Sequence, residues 1–244
     1  MSEIGKRAGL ILLAERSLTA LGLYGHTGKL GADRRTIAIR SLDGYDPLVT
    51  DDVDASSGLA GIAADDGISC VVTADEVDEE ATTRFRDTGL TLLLGANLSG
   101  LAESLAAHEV ARTDRVTGTT AAWTVPGKPL RRGEAVAFPD PVGARWGSDA
   151  GIRAGATGVR VPIEGEWAGA SASVVGEIDG DQVQRVVGVV DLAPHLEGIA
   201  LAAGALVVAE HSIPSGVHRP GDHPEAYLSA ALRVGLEVAA YSSG

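Results

Sequence analysis

Three glycines spaced three apart, in Gly25-His26-Thr27-Gly28-Lys29-Leu30-Gly31, are the sharpest chemical signal in the chain. The apolar run Thr19 to Tyr24 precedes them and reads as a buried strand. At a strand-to-helix junction the first glycine permits a tight turn. The second lets the backbone approach a pyrophosphate, and the third allows close packing of helix on sheet. Backbone N–H groups at the helix start then hold the anion. Such folds place an acid about 20 residues on, at the end of the second strand, to bond the ribose 2′-hydroxyl. Asp51, with Asp52 beside it, sits at that spacing. The candidate cofactor-binding residues are Gly25, Thr27, Gly28, Lys29, Leu30, Gly31 and Asp51, and the expected cofactor is NAD. Residues 43 to 80 hold twelve acids and no Lys or Arg, which disfavours a 2′-phosphate and hence NADP. A second reading stays open. Thr36 to Arg40 alternates like a strand, so the segment also fits a hairpin around a loop that meets no phosphate.

Other reactive side chains form weaker patterns. His218 and His223 flank Arg219, Pro220 and Asp222 in a polar loop that suits either a carboxylate ligand or a surface turn before a helix. His195 follows Pro194 in the first turn of a helix, where capping is the ordinary role. No paired histidines or Cys/His pair suggest a metal. Ser104 and Ser171 lack the context of an activated nucleophile. Cys70, the single cysteine, lies in an apolar run and reads as a buried thiol. No catalytic residue is assigned.

The elements that must position these residues alternate along the first half. Strands are expected at 19–24, 46–50, 68–73 and 91–94. Helices are expected at 30–42, from Ser56 or Ser57 to Ala64, at 75–87 with Gly89 ending it, and at 99–112. Strand-helix alternation implies a parallel sheet with helices on its faces. The pattern changes near Asp114. Residues 170–178 and 183–190 read as strands around the hairpin signal Asp179-Gly180. Helices follow at 194–209 and 224–234, then a closing strand at 237–241. The expected fold class is α/β, a Rossmann-like parallel sheet (residues 1–113) with a second α+β domain containing an antiparallel sheet (residues 114–244). The helix from Pro194 is expected on one face of that antiparallel sheet.

With 244 residues, 45% of them hydrophobic, the chain can bury a sizeable core. Its net charge of −13 excludes the basic footprint of a nucleic-acid binder. Glu15 and Arg16 cut the first apolar stretch to seven residues, too short for a membrane span. A cytoplasmic protein with a small-molecule substrate is expected, with no nucleic acid and no membrane as partner.

Several segments together resemble the saccharopine dehydrogenase family. Gly25 to Gly31 is similar to its Gly-x-Thr-Gly-x-x-Gly loop. Gly95-Ala96-Asn97-Leu98-Ser99-Gly100-Leu101 resembles the turn and helix after its Rossmann strands, without that turn's proline. Ala137 to Gly143 is similar to a proline-rich segment of its second domain, and Gly176 to Gly180 to its Gly-Glu-x-Asp-Gly hairpin. Gly216 to Pro220, Pro224 to Leu228 and Leu232 to Leu236 resemble its C-terminal segment. The stretch from Leu30 to Gly67 departs from the family. The first half is also similar to dihydrodipicolinate reductases in its glycine loop and Asn-x-Ser segment, but their paired-histidine motif is absent. The resemblance implies an NAD(P)-dependent oxidoreductase acting on an amino-acid- or imine-type small molecule, with a possible homodimer built on the antiparallel sheet. The alternative is a non-catalytic binding or regulatory protein that retains the fold.

Overall fold

The computed structural model describes residues 11–12, 47–51, 53–54 and 56–243. The Gly25 to Gly31 loop, the expected strand at 19–24 and the expected helix at 30–42 lie outside the described residues. The chain divides into two compact units: residues 1–97 with 197–220, and residues 98–196 with 221–244.

The first unit is built on a five-stranded, all-parallel sheet. Its strands are β1 (Ile11–Leu12), β2 (Leu48–Thr50), β3 (Cys70–Val72), β4 (Thr91–Leu93) and β11 (Gly216–His218), in the order β1-β2-β3-β4-β11. The register sets Leu48 beside Cys70, Cys70 beside Leu92, and Gly216 beside Thr91. Strands β2, β3 and β4 are short and buried throughout, as a parallel sheet covered on both faces requires. Helix α1 (Ser56–Asp65) and helix α2 (Glu79–Thr88) connect them. Ala60, Ala63, Phe85, Cys70, Val72 and Leu92 share one buried core. Burial of Cys70 pushes its thiol up to about 12. The ends of α2 follow from sequence. Asp78 Oδ1 accepts from the Ala81 N–H at 2.8 Å, Glu79 and Glu80 complement the helix dipole, and Gly89 closes the helix at φ 71.

The second unit carries a seven-stranded sheet. In chain order its strands are β5 (Arg115–Pro126), β6 (Glu134–Ala137), β7 (Ala144–Arg153), β8 (Ala156–Ile163), β9 (Trp167–Ile178), β10 (Asp181–Leu192) and β12 (Ala239–Ser243), and its order is β12-β10-β9-β5-β8-β7-β6. Asp179 (φ 54) and Gly180 (φ 90) make the expected tight hairpin between β9 and β10. The sheet is mixed rather than purely antiparallel, because β5 runs parallel to β8. Helix α3 (Leu98–Ala111) packs against β5 and β9, and helix α5 (Pro224–Arg233) packs on α3.

One expectation is corrected. The helix from Pro194, here α4 (Ala193–Ala209), is expected on the antiparallel sheet. From Glu197 onward it belongs to the first unit and lies on the parallel sheet. A Cβ on Gly204 would come within 3.0 Å of Ala96 and Val71 and 3.1 Å of Leu93, so the missing side chain is what lets the helix approach. The mixed sheet is covered by α3 instead. Among the described residues, no helix is long and apolar enough to cross a membrane.

Candidate functional site at the carboxyl edge of the parallel sheet

In open parallel sheets, ligands bind beyond the carboxyl ends of the strands. Four described strands of the first unit end there on polar residues. Asp51 follows β2, Thr73 and Asp75 follow β3, Gly95 and Asn97 follow β4, and Arg219 follows β11. The backbone knits these ends together. The Thr73 N–H donates to Thr50 O at 3.2 Å, Ala96 N–H to Val72 O at 3.0 Å, Gly95 N–H to Ala74 O at 2.8 Å and Leu94 N–H to His218 O at 2.9 Å.

Side chains add a latch across three of the strands. Arg219 donates through Nη1 to Asp75 O at 2.8 Å and through Nη2 to Asp75 Oδ1 at 3.2 Å. Asn97 Nδ2 donates to Thr73 O at 2.6 Å and reaches Asp75 Oδ1 at 3.4 Å. Gly95, at φ 68, lies under the fork: a Cβ there would meet Arg219 Nη2 at 3.1 Å and Asp75 Oδ1 at 3.2 Å. The left-handed backbone favours glycine here, and a Cβ would press the fork by a few tenths of an ångström. The pair is partly exposed, so its Coulomb contribution is on the order of 0–1 kcal/mol. The hydrogen bond from the guanidinium to a main-chain carbonyl adds about 1.5–3 kcal/mol before the cost of fixing the side chain.

Among the described residues, one group at this edge, Thr73 Oγ1, is buried without a hydrogen bond. An orphan hydroxyl costs on the order of 1–3 kcal/mol in desolvation and asks for a ligand or water to satisfy it. Asp51, half-buried, stands at the end of the neighbouring strand.

Asp51 directly follows β2, at its carboxyl end. The six glycine-loop residues Gly25, Thr27, Gly28, Lys29, Leu30 and Gly31 lie outside the described residues. The polar loop around Arg219 runs from β11 through a short 3-10 turn, Pro220–Asp222, into helix α5. His218 and Arg219 belong to the first unit and His223 to the second. Arg219 spends its fork on Asp75, and a His218 ring nitrogen lies 3.3 Å from Ser215 O. His195 Nδ1 lies 2.6 Å from Asp191 Oδ2, four residues earlier at the end of β10. Sequence reasoning missed Thr73, Asp75 and Asn97. Their only sequence signal is position, immediately after strands recognisable by their apolar runs. Among the described residues, no group of three or more His, Cys, Asp or Glu side chains is arranged to hold a metal ion.

No protein-family model matches the chain, and no curated protein matches it in sequence. Solved structures do resemble it. Homospermidine synthase from Legionella pneumophila, solved in complex with NAD, superposes with a TM-score of 0.57 at 9% identity, covering 97% of this chain and 92% of that one. An engineered D-amino acid dehydrogenase gives 0.48 at 12% identity, covering 90% and 96%. Dipicolinate-bound dihydrodipicolinate reductase from Paenisporosarcina sp. TG-14 gives 0.46 at 9% identity, covering 86% and 97%. At these identities the first likeness shows the fold alone, and the looser two add nothing to it. The fold is α/β, of Rossmann type, with a parallel sheet and a second, mixed sheet.

Proposed function

We propose that the chain is an NAD-dependent oxidoreductase acting on a small molecule of amino-acid or imine type. The observation that carries this reading is Asp51 at the carboxyl end of β2, in an all-parallel sheet whose next strand ends on a buried Thr73 hydroxyl with no hydrogen bond among the described residues. A half-buried carboxylate with a buried hydroxyl on the adjacent strand suits a ribose, which offers both donors and acceptors. The described part of this edge therefore fits a dinucleotide. Within the proposal, residues 1–113 hold the cofactor through Gly25, Thr27, Gly28, Lys29, Leu30, Gly31 and Asp51. Residues 114–244 serve the substrate and a possible homodimer. When bound, the nicotinamide supplies the hydride chemistry. This chain's residues bind and orient: Asp51 takes the ribose hydroxyl, Thr73 adds a second hydrogen bond, and the Asp75–Arg219 latch fixes the strand ends that carry them.

Supporting the choice of NAD over NADP is the run from residue 43 to 80, which has acids and no cation. Like charges a few ångströms apart in a partly dry cleft cost on the order of 1–4 kcal/mol. The test is fluorescence titration of NADH and NADPH into wild type and Asp51→Ala, followed by a turnover screen on amino acids, imines and 2-oxo acids. Preference for NADH that narrows in the variant is expected. Tighter NADPH binding by wild type, or an unchanged preference in Asp51→Ala, would remove the assignment. NADH binding without turnover of any compound in the screen would identify a binding protein of the same fold.

A further inference from the structure

On the second unit, one face of the mixed sheet gathers two arginines around a tryptophan. Side chains alternate between faces along a strand, and directly paired residues share a face. Trp123 on β5 pairs with Arg160 on β8. On β7, Ser148 pairs with Arg160, and Arg153 pairs with Ala156. Ala156, Gly158 and Arg160 follow one another by twos along β8. Arg153, Trp123, Arg160 and Ser148 therefore rise from the same face. The contacts agree: a Cβ on Gly158 would meet the Trp123 ring at 3.3 Å, and Arg153 Cζ stands 5.4 Å from that ring's centroid. Trp146, two residues before Ser148, shares the face and is 44% exposed.

The two arginines are held differently. Arg153 lies over the ring with Nη1 3.6 Å from the carboxylate of Glu103, whose side chain is wholly buried. Its charge is balanced. Arg160 is exposed and makes no ion pair among the described residues. In a chain of net charge −13, this gives the face one exposed guanidinium without a carboxylate partner among the described residues. A guanidinium fork matches a carboxylate in shape, with two parallel N–H donors for two oxygens. One guanidinium also matches one carboxylate group in charge, and the second carboxylate of a longer diacid can stay in water, whereas a phosphate dianion holds both charges on one group and would be left half neutralised. The exposed indole of Trp146 supplies a flat apolar surface for a carbon skeleton.

We propose that this face binds a small molecule through its carboxylate, with Arg160 taking the carboxylate, Trp146 covering the carbon chain, and Arg153 acting as a positioning residue that holds Trp123 beneath. Equating that molecule with a substrate rests on the oxidoreductase reading; the binding itself stands on the second unit alone.

The test is titration of glutarate into the full chain, followed by calorimetry and tryptophan emission, with glutaramide and inorganic phosphate as comparison probes. Saturable glutarate binding is expected, at least tenfold weaker in Arg160→Gln and partly restored in Arg160→Lys. The emission change should shrink in Trp146→Phe. Glutaramide and phosphate should bind at least tenfold more weakly than glutarate. Absence of saturable glutarate binding, equal binding by wild type and Arg160→Gln, or equal binding of phosphate would overturn the proposal. Circular dichroism melting of Arg160→Gln, an exposed position, is expected to match wild type. NADH titration of the same proteins separates the two readings. Glutarate binding that depends on Arg160 in a protein that binds no NADH keeps the carboxylate site and removes the oxidoreductase assignment.

Discussion

Replacing Gly95 by alanine probes the Asp75–Arg219 latch, and Gly89→Ala supplies its control. The two glycines have nearly the same backbone conformation, φ 68 and φ 71. Around Gly89 nothing lies within 4 Å of a new Cβ; at Gly95 the Cβ would meet Arg219 Nη2 and Asp75 Oδ1. A side chain in the left-handed region costs about 1–2 kcal/mol. Restricting the unfolded chain returns about 0.4–1 kcal/mol of that. Gly89→Ala should therefore lose about 1 kcal/mol. Gly95→Ala bears the same cost and also forces the guanidinium fork away from Asp75. That forfeits charge-assisted hydrogen bonds worth about 1.5–3 kcal/mol at most, and less because the pair is partly exposed. The expected loss for Gly95→Ala is about 2–3 kcal/mol, so the two variants should differ by about 1–2 kcal/mol. Urea unfolding at neutral pH measures both, with the midpoint shift read at constant slope. Equal destabilisation of the two variants would show that the latch adds nothing at this edge and refute the reasoning.

Three further outcomes follow from named groups. Thr73→Val removes a buried hydroxyl that has no partner among the described residues, so urea unfolding should show stability unchanged or raised by about 1 kcal/mol, while NADH affinity falls. The Cys70 thiol, raised from 9.0 to about 12 by burial, stays neutral in the folded chain where the unfolded chain ionises; its contribution is intact below pH 9 and is lost at about 1.4 kcal/mol per unit as pH rises toward 12. Urea midpoints at pH 8, 9 and 10 should show this slope flattened in Cys70→Ala, and a thiol reagent should leave the folded wild type unmodified. Glu103→Leu takes from Arg153 its wholly buried carboxylate partner and should cost up to about 3–5 kcal/mol, whereas the double variant Glu103→Leu, Arg153→Met should recover part of that loss in the same assay.

Local signals were the legible ones. Gly89 after an acid-capped helix, Asp179-Gly180 between alternating runs, and Pro194 and Pro224 at helix starts each act through nearby backbone, and each element forms close to where it is expected. Asp51 was legible because its place depends only on where an apolar run ends. The partners of α3 and α4 were not. Helix α3 is buried almost all round over Leu98 to Ala106, so no periodic stripe announces which sheet it covers. In α4 the informative residue is Gly204, whose use is a close approach to Val71 and Leu93, far away in sequence. Buried acids were equally silent: Glu103 and Glu109 find Arg153 and Arg185 across long stretches of chain. Arg219 meets Asp75 across 144 residues, which no local pattern encodes.

The order of the parallel sheet bears on how the chain can be made. Its edge strand β11 and its covering helix α4 are separated from β4 by the whole of residues 98–196. A nascent chain that has emerged only through β4 presents that strand with an open edge of unpaired main-chain groups, a template for pairing with another chain. The edge closes only after some hundred further residues have been synthesised, a delay of roughly 5–20 seconds at 5–20 residues per second. Long-range closure of this kind also slows refolding. Fragments ending before residue 216 are therefore expected to aggregate during expression more than the full chain does.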